Sequence, residues 1–447
     1  MTDQTDLSQL ADCAERLVAA ARSAGADAAD AVVVHGTALS VDVREGKVEE
    51  TERSESADLG LRVFVGRRSA VVSANMTEDP GTLADRAVAM AKVAPEDPFA
   101  GLADRDRLGQ SEAALDLEDA VFPDADVLTS AAHRVEAAML DVAGVTRSGG
   151  ASASASSGGV VLVTSDGFSG GYRVTRHGRG ASAIAGDGTR MERDYWSEGR
   201  VHLADMPEDD WIGARAGERA VRRLEPEKIT TRKGSVVFEP RIASSLVGHL
   251  LGAINAAAVA RKTSFLQSKM GEKIFADGVT ITDDPFRPRG LASRPFDGEG
   301  IAGGPLELVE NGVLKSWLLD SASARELGLE SNGRARRGVG APSPGPTNVT
   351  LAAGQMSREE LLREIGDGLF VTELIGQGVN LVTGDYSRGA AGFWIEAGEI
   401  AYPVSEITIA GNLGDMFLNM IVADDLEENR VVNTPTIAIK GMTIAGR

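Results

Sequence analysis

Short glycine turns set between runs of apolar residues constrain this chain more than any other feature. Gly66-Arg67-Arg68 separates LGLRVFV (59–65) from SAVVSA (69–74). Asn311-Gly312 separates 305–310 from 313–319, and Ala397-Gly398 separates 391–396 from 399–404. Turns this tight join antiparallel neighbours, because parallel strands need a long crossover. Asn-Gly is a strong hairpin signal, since both residues accept positive φ. Further strand-like segments are expected at 31–43, 47–53, 160–165, 171–176, 181–185, 194–203, 235–238, 406–410 and 435–440.

Helices interrupt the strands. Leu7, Leu10, Ala14, Leu17, Val18 and Ala21 recur at spacings of three and four, which predicts an amphipathic helix over 7–24 that ends at Gly25. Similar patterns predict helices at 80–93, 125–142 and 208–223, the last basic on one side through Arg215, Arg219, Arg222 and Arg223. A long apolar helix is expected over 240–260. The Ser/Ala/Gly stretch from Ser148 to Gly159 reads as a flexible connection. A prior of ~150 residues per domain gives about three domains in this length. The expected architecture is α+β and multidomain, with mixed or antiparallel sheets, packed helices and a strand-rich C-terminal domain. The expected boundaries are 1–124, 125–227 and 228–447. With 52 glycines and only 4% aromatic residues, the cores should be built from Ala, Val and Leu.

The formal charge of −20 repels phosphate backbones, so nucleic-acid binding would need a strong local basic patch. The best candidate, Arg334-Ala335-Arg336-Arg337, is short and reads as a solvated loop. Cys13 is the only cysteine, so no disulfide forms within one chain, which fits a reducing compartment. The acidic start, Met1 to Asp6, lacks the basic and apolar regions of a secretion signal. No apolar run reaches the ~18 residues needed to span a membrane. The expectation is a soluble, cytoplasmic protein with no nucleic-acid or membrane partner.

The sequence carries few motifs of recognised chemistry. No two of His35, His133, His177, His202 and His249 lie within one helical stretch, and there is neither a His-Glu-x-x-His nor a cysteine pair, so no zinc site is expected. Gly167-Phe168-Ser169-Gly170-Gly171 matches the nucleophile-elbow pattern. That elbow needs a helix after its turn, whereas a strand is expected here, so the segment reads as a hairpin turn. Phosphate-binding glycine loops are absent; Gly376-Gln377-Gly378 reads as a bend leading into a strand-like run, Val379–Thr383. Asp297 and Glu299, two residues apart in a glycine-rich loop, could do acid–base work if their environments split their pKa values. The alternative is a loop whose carboxylates cap backbone N–H groups or face water. His249 sits mid-helix among leucines, where a hydrogen-bonded core or interface role competes with a ligand role.

Several stretches, taken together, resemble one family. They are Arg261–Leu266 with Lys269–Phe275, Ser293–Gly300, Gly312–Leu314 with Leu318–Arg325, and above all Tyr402–Phe417 (YPVSEITIAGNLGDMF). The chain is similar here to the PmbA/TldE branch of the TldD/PmbA family, also known as peptidase U62 or modulator of DNA gyrase. The resemblance implies a subunit of a heterodimeric zinc metallopeptidase acting on small or unfolded peptides. In that family the TldD-like partner holds the zinc with a His-Glu-x-x-x-His helix and a later Cys. The matching helix here reads Leu246-Val247-Gly248-His249-Leu250-Leu251-Gly252-Ala253, with one His, no Glu and no second His. The resemblance therefore implies no catalytic or metal residue in this chain and no cofactor of its own, with zinc expected in the partner subunit. His249, Asp297 and Glu299 stay as candidates for a channel or interface. The small residues Gly252, Ala253 and Ala256–Ala258 permit close packing against the chain's own core or against a related partner. A homodimer in the partner's absence, a stand-alone hydrolase with a scattered site, and a non-enzymatic binding protein remain open alternatives.

Overall fold

The computed structural model describes residues 6–446. The reading of the acidic start therefore lies, except for Asp6, outside the described residues. The N-terminal part runs α1 (Leu7–Ser23), β1 (Ala28–Arg44), β2 (Lys47–Val65), β3 (Arg68–Asn75), α2 (Pro80–Val93), α3 (Ala125–Leu140), β4 (Val145–Thr164), β5 (Ser169–Ala185), β6 (Glu192–Arg200) and α4 (Asp209–Arg222). All six strands form one antiparallel sheet in the order β3-β2-β1-β4-β5-β6, so a single sheet runs from residue 28 to residue 200.

The period-two pattern of these long strands sorts their side chains into two faces. Ala29, Ala31 and Val33 of β1 pack with α1 and α2, and Leu39, Val41 and Val43 of the same strand pack with α3. Ala181, Ala183 and Ala185 of β5 pack in the cluster that contains α4 residues Ile212, Ala216 and Ala220. All four helices therefore cover one face. On the other face, Val32 and Leu162 meet Phe296 from the C-terminal part.

The stretch Ser148–Gly159 is not a flexible connection. It lies inside β4, paired with β1 on one side and β5 on the other. Its Ala151, Ala153 and Ala155 are buried. The strand alternates small apolar with small polar residues, so its period is that of any strand, but its apolar positions are too small to read as such. The segments 47–53 and 59–65 likewise merge into β2, and 171–176 and 181–185 into β5. Strand, turn and strand follow one another through Gly167–Gly171, as expected, so Ser169 sits on no elbow.

The C-terminal part runs β7 (Arg232–Phe238), α5 (Pro240–Ala253), α6 (Ala256–Ala260), β8 (Ile281–Asp284), β9 (Leu306–Glu310), β10 (Val313–Leu314), α7 (Ser321–Leu327), β11 (Ala335–Arg336), β12 (Ser343–Pro344), β13 (Asn348–Leu351), α8 (Arg358–Ile365), β14 (Gly368–Ile375), β15 (Asp385–Glu396), β16 (Glu399–Asn412), α9 (Leu413–Leu418), β17 (Met420–Val422), β18 (Val432–Asn433) and β19 (Ile437–Ala445). Its main sheet has the order β16-β15-β14-β7-β19-β17, and β16 also pairs with β19, which closes the strands into a barrel. Alternate residues again divide the work. Val236, Phe238, Leu369 and Val371 join the large cluster around Leu246 and Leu250 of α5, whereas Val237 and Phe370 face Leu361 and Leu362 of α8.

The expected helix over 240–260 is broken in two. Asn255 leaves the helical path, and its side chain accepts from the Ala257 N–H (3.1 Å) to cap α6. The strand-like run Val379–Thr383 is a loop held by an isolated bridge from Val379 to Tyr386. The hairpin turns are as expected: Asn311 and Gly312 have φ of 47° and 81°, and Ala397 and Gly398 have 51° and 83°.

The two parts meet closely at Gly60 of β2. A β-carbon there would lie 2.1 Å from the Val339 carbonyl oxygen. Gly60→Ala should therefore push the 339 segment off the sheet and destabilise the fold by ~1–3 kcal/mol, as overpacking does. A thermal or urea denaturation midpoint equal to that of the wild type would show that the segment is not seated on β2.

Candidate functional site

Asp30 interrupts an apolar run in β1, and Arg62 interrupts another in β2; the strand register sets them directly opposite each other. Arg62 donates to Asp30 Oδ2 through Nε (2.9 Å) and Nη2 (2.5 Å). Arg337, from the C-terminal part, places Nη1 at 2.7 Å from Asp30 Oδ1. All three side chains are buried. Burial opposes ionisation of Asp30, but the two guanidinium groups outweigh it and hold its carboxyl below the usual range.

Asp297 and Glu299 stand beside this group and are 3% and 2% exposed. Arg62 Nη1 lies 3.7 Å from Glu299 Oε1. Glu299 Oε2 accepts from the Ser321 N–H (2.8 Å) at the start of α7. Asp297 Oδ1 accepts from the N–H groups of Glu299 (2.9 Å) and Ile301 (3.0 Å), and its Oδ2 accepts from that of Ala335 (3.0 Å). The pair is thus part of a buried joint: Asp297 ties its own loop, and Glu299 spans from Arg62 to α7. Burial raises both carboxyls. Glu299 is pushed up to about 7, with Arg62 opposing the rise and the Asp297 charge adding to it.

The basic run is not a solvated loop. Arg334 is fully buried; its Nε donates to Asp283 Oδ2 (2.8 Å), and its Nη2 donates to the Asp283 (2.9 Å) and Gly304 (2.6 Å) carbonyls. Arg337 is held by Asp30 as above. Charge runs are solvated when they have no carboxylate to meet; here Arg334 and Arg337 each reach one from a distant segment, whereas Arg336 is exposed.

His249 sits elsewhere, on α5 facing the barrel strand β15. Its ring lies edge-on to Tyr386, with centroids 6.0 Å apart. Among the described residues, neither His249 Nε2 nor the Tyr386 hydroxyl has a hydrogen-bond partner, although both atoms are buried. Burial lowers the His249 pKa and Arg388 lowers it further, so the ring is neutral at pH 7. Burial also drives the Tyr386 hydroxyl upward. The structure joins Asp297 to Glu299 but gives His249 a separate set of neighbours. Three positions carried a signal that went unread in the sequence. Asp30 and Arg62 are charges inside strand runs, and the buried Glu136 of α3 accepts from both Glu45 and Gly46 N–H (2.8 Å each) to hold the β1–β2 turn.

The comparisons extend over nearly the whole chain. Residues 29–91 match the model for PmbA/TldA metallopeptidase domain 1, 114–224 that for the central domain, and 231–446 that for the C-terminal domain. The chain belongs to the PmbA/TldD family. It is 40% identical to the Escherichia coli O157:H7 metalloprotease PmbA over 433 residues, covering 95% of this chain and 94% of that one. It is 36% identical to a PmbA homolog of Haemophilus influenzae, with the same coverage. Among solved structures, a Bacteroides thetaiotaomicron protein described as a candidate modulator of DNA gyrase superposes with a TM-score of 0.91 at 26% identity, over 99% of this chain and all of the other. TldE from Thermococcus kodakarensis shares the fold, with a TM-score of 0.86 at 20% identity over 97% and 99% of the two chains.

A PmbA/TldD metallopeptidase centre needs several nitrogen, sulfur or carboxylate ligands around one ion. His249 offers one imidazole, next to a phenol and the cation Arg388. Cys13 is buried in the core around α1, remote in the fold from α5. Among the described residues, no group of three or more His, Cys, Asp and Glu side chains is placed to hold a metal ion. The surroundings of His249 do not fit zinc. No described helix is long and apolar enough to cross a membrane.

Glu299 makes the stability of the joint depend on pH. Its folded pKa lies above the ordinary 4.5, so the folded chain keeps a proton that the unfolded chain releases. Its contribution is fully present below pH 4.5 and is lost as the pH rises through 7. Glu299→Gln cannot lose that proton. The variant should gain on the wild type between those two pH values, by ~1–3 kcal/mol, and hold its advantage above them. Urea denaturation across this range checks it; a constant offset would mean that the carboxyl does not titrate there.

Proposed function

We propose that this chain is the metal-free subunit of a two-subunit zinc peptidase that acts on small or unfolded peptides in the cytoplasm. The observation that carries this reading is a mismatch. The chain has all three domains of a metallopeptidase family, yet its described residues offer no set of ligands for a metal ion. In this reading a TldD-like partner supplies the zinc, whose role is to activate water and polarise the peptide carbonyl. This chain completes the walls of the channel in which the peptide lies. A peptide held there by main-chain hydrogen bonds, as an added strand, would be accepted with little regard to its sequence. The single buried cysteine is in keeping with a reducing compartment.

The stand-alone hydrolase built on His249, Asp297 and Glu299 has little to support it. The two carboxylates are committed to the Arg62 joint and to backbone N–H groups, and the imidazole lies among other residues. The test is to purify the chain alone and co-expressed with the TldD-like protein of the same genome, then measure bound zinc and cleavage of an unstructured peptide. The lone chain should be zinc-free and inert, and the pair should bind zinc and cut. Zinc or cleavage in the lone chain would overturn the reading.

A further inference from the structure

We propose that the cavity between α4 and the β17–β18 loop binds the free ends of a short peptide, its carboxylate on arginines and its ammonium on acidic side chains. The choice of a peptide as ligand rests on the peptidase-subunit reading; the charge pattern of the cavity does not.

The cavity measures about 320 Å³ and lies where the N-terminal sheet meets the barrel. That volume is at the small end of the ~300–1,000 Å³ typical of ligand pockets. Its centre is Trp196 of β6. Three guanidinium groups gather on this one indole: Arg215 at 5.3 Å, Arg219 at 5.4 Å and Arg430 at 5.7 Å from the ring centroid. Arg219 is neutralised by Glu239, with hydrogen bonds of 2.7 and 3.0 Å. Arg215 and Arg430 have no carboxylate within 4 Å among the described residues, nor does Arg358 of α8, which lines the same cavity over the Phe370 ring. An aromatic ring attracts a guanidinium but leaves its charge in place.

In a chain with 66 acidic and 46 basic side chains, the exposed Arg215 and the half-buried Arg358 and Arg430 bring three unpaired cations to one cavity. They also repel one another. Arg222, next to this group, has its pKa lowered by burial first and then by Arg358, Arg219 and Arg215. A bound carboxylate would relieve that repulsion and take the two parallel N–H donors that a guanidinium presents.

The same lining carries the other sign as well, on the loop that bears Arg430 and at Glu359 beside Arg358. Asp424 and Glu427, on the β17–β18 loop, are exposed and in no ion pair among the described residues. A simple polyanion such as phosphate would be repelled by these carboxylates. A zwitterion uses both signs of charge, and a free di- or tripeptide is a zwitterion of about the right size. Such a ligand is also the chemical class of product that a peptidase releases.

The experiment is calorimetric titration of the full lone chain with L-alanyl-L-alanine, its C-terminal amide, its N-acetyl derivative and inorganic phosphate. The free dipeptide should saturate at one per chain. Amidation should weaken binding by about tenfold or more, the loss expected when a charge-assisted pair becomes neutral. Arg215→Gln with Arg430→Gln should do the same. Asp424→Asn with Glu427→Gln should weaken the free dipeptide but not its N-acetyl form; both variants change exposed or half-exposed side chains, and an unchanged thermal midpoint confirms their folding. Equal binding of the amide, tighter binding of phosphate, or no saturable binding would each overturn the proposal. Because cleavage by the co-purified pair is measured separately, a pair that cuts while the lone chain ignores the dipeptide removes only this site. A dipeptide that binds while no pair cuts removes only the peptidase reading.

Discussion

The joint between the two halves depends on one buried carboxylate held between two arginines. Asp30 takes Arg62 from its own sheet and Arg337 from the C-terminal part, and none of the three side chains is more than 8% exposed. Burying three ions costs several kcal/mol each in lost hydration, so such a group contributes little net stability against an apolar packing of the same shape. Its effect is on specificity. Any docking of the 337 segment that misses Asp30 leaves a guanidinium in an apolar setting, and that penalty is far larger than the loss of one apolar contact. Around this fixed point the rest falls into place. Val339 lies against Gly60, Glu299 reaches Arg62 from the next loop, and Phe296 closes over Val32 and Leu162.

The large sheet makes this joint possible because its helices all lie on one side. Had they been divided between the faces, Asp30 and Arg62 would sit under a helix. Instead the bare end of the second face is met by loops from the barrel half. These loops carry little regular structure, so polar groups rather than apolar side chains do much of the fixing. Asp297 accepts three backbone N–H groups and Asp283 meets the buried Arg334. The carboxylates that looked most like a catalytic pair are therefore used to hold irregular chain in one shape.

Much of this was legible in the sequence, for physical reasons that differ by element. The helices α1 to α4 and the tight hairpins announce themselves locally, through apolar spacing and positive-φ turn residues. The closing of the C-terminal strands and the single sheet that takes in residues 28 to 200 depend on which strands become neighbours, which no local pattern states. β4 was missed because its inward positions are alanine, and alanine alternating with serine has almost no hydrophobic contrast. Arg334 and Arg337 were misread because burial of a charge is decided by a partner far off in sequence, Asp283 or Asp30. Yet Asp30 and Arg62 could have been flagged, since an isolated charge within a strand of valines and leucines implies a partner of opposite sign. The family itself was legible in Tyr402–Phe417 and its companion stretches, whereas the separation of His249 from Asp297 and Glu299 was not.

One feature of β2 bears on how the protein survives in a crowded solution. β3 covers β2 only from Asp58 to Val65, so Lys47 to Ala57 forms an open edge, paired on one side alone. Ten of its residues in a row are exposed. An open edge of this length is a template on which stray chains can add and seed aggregates. The sequence here, KVEETERSES, sets six charges along the edge, four of them glutamates. An incoming identical edge would bring glutamates against glutamates, and the one apolar side chain, Val48, is too isolated to nucleate a dry contact. The arm thus stays extended and hydrated, and its acidity works against self-templated precipitation.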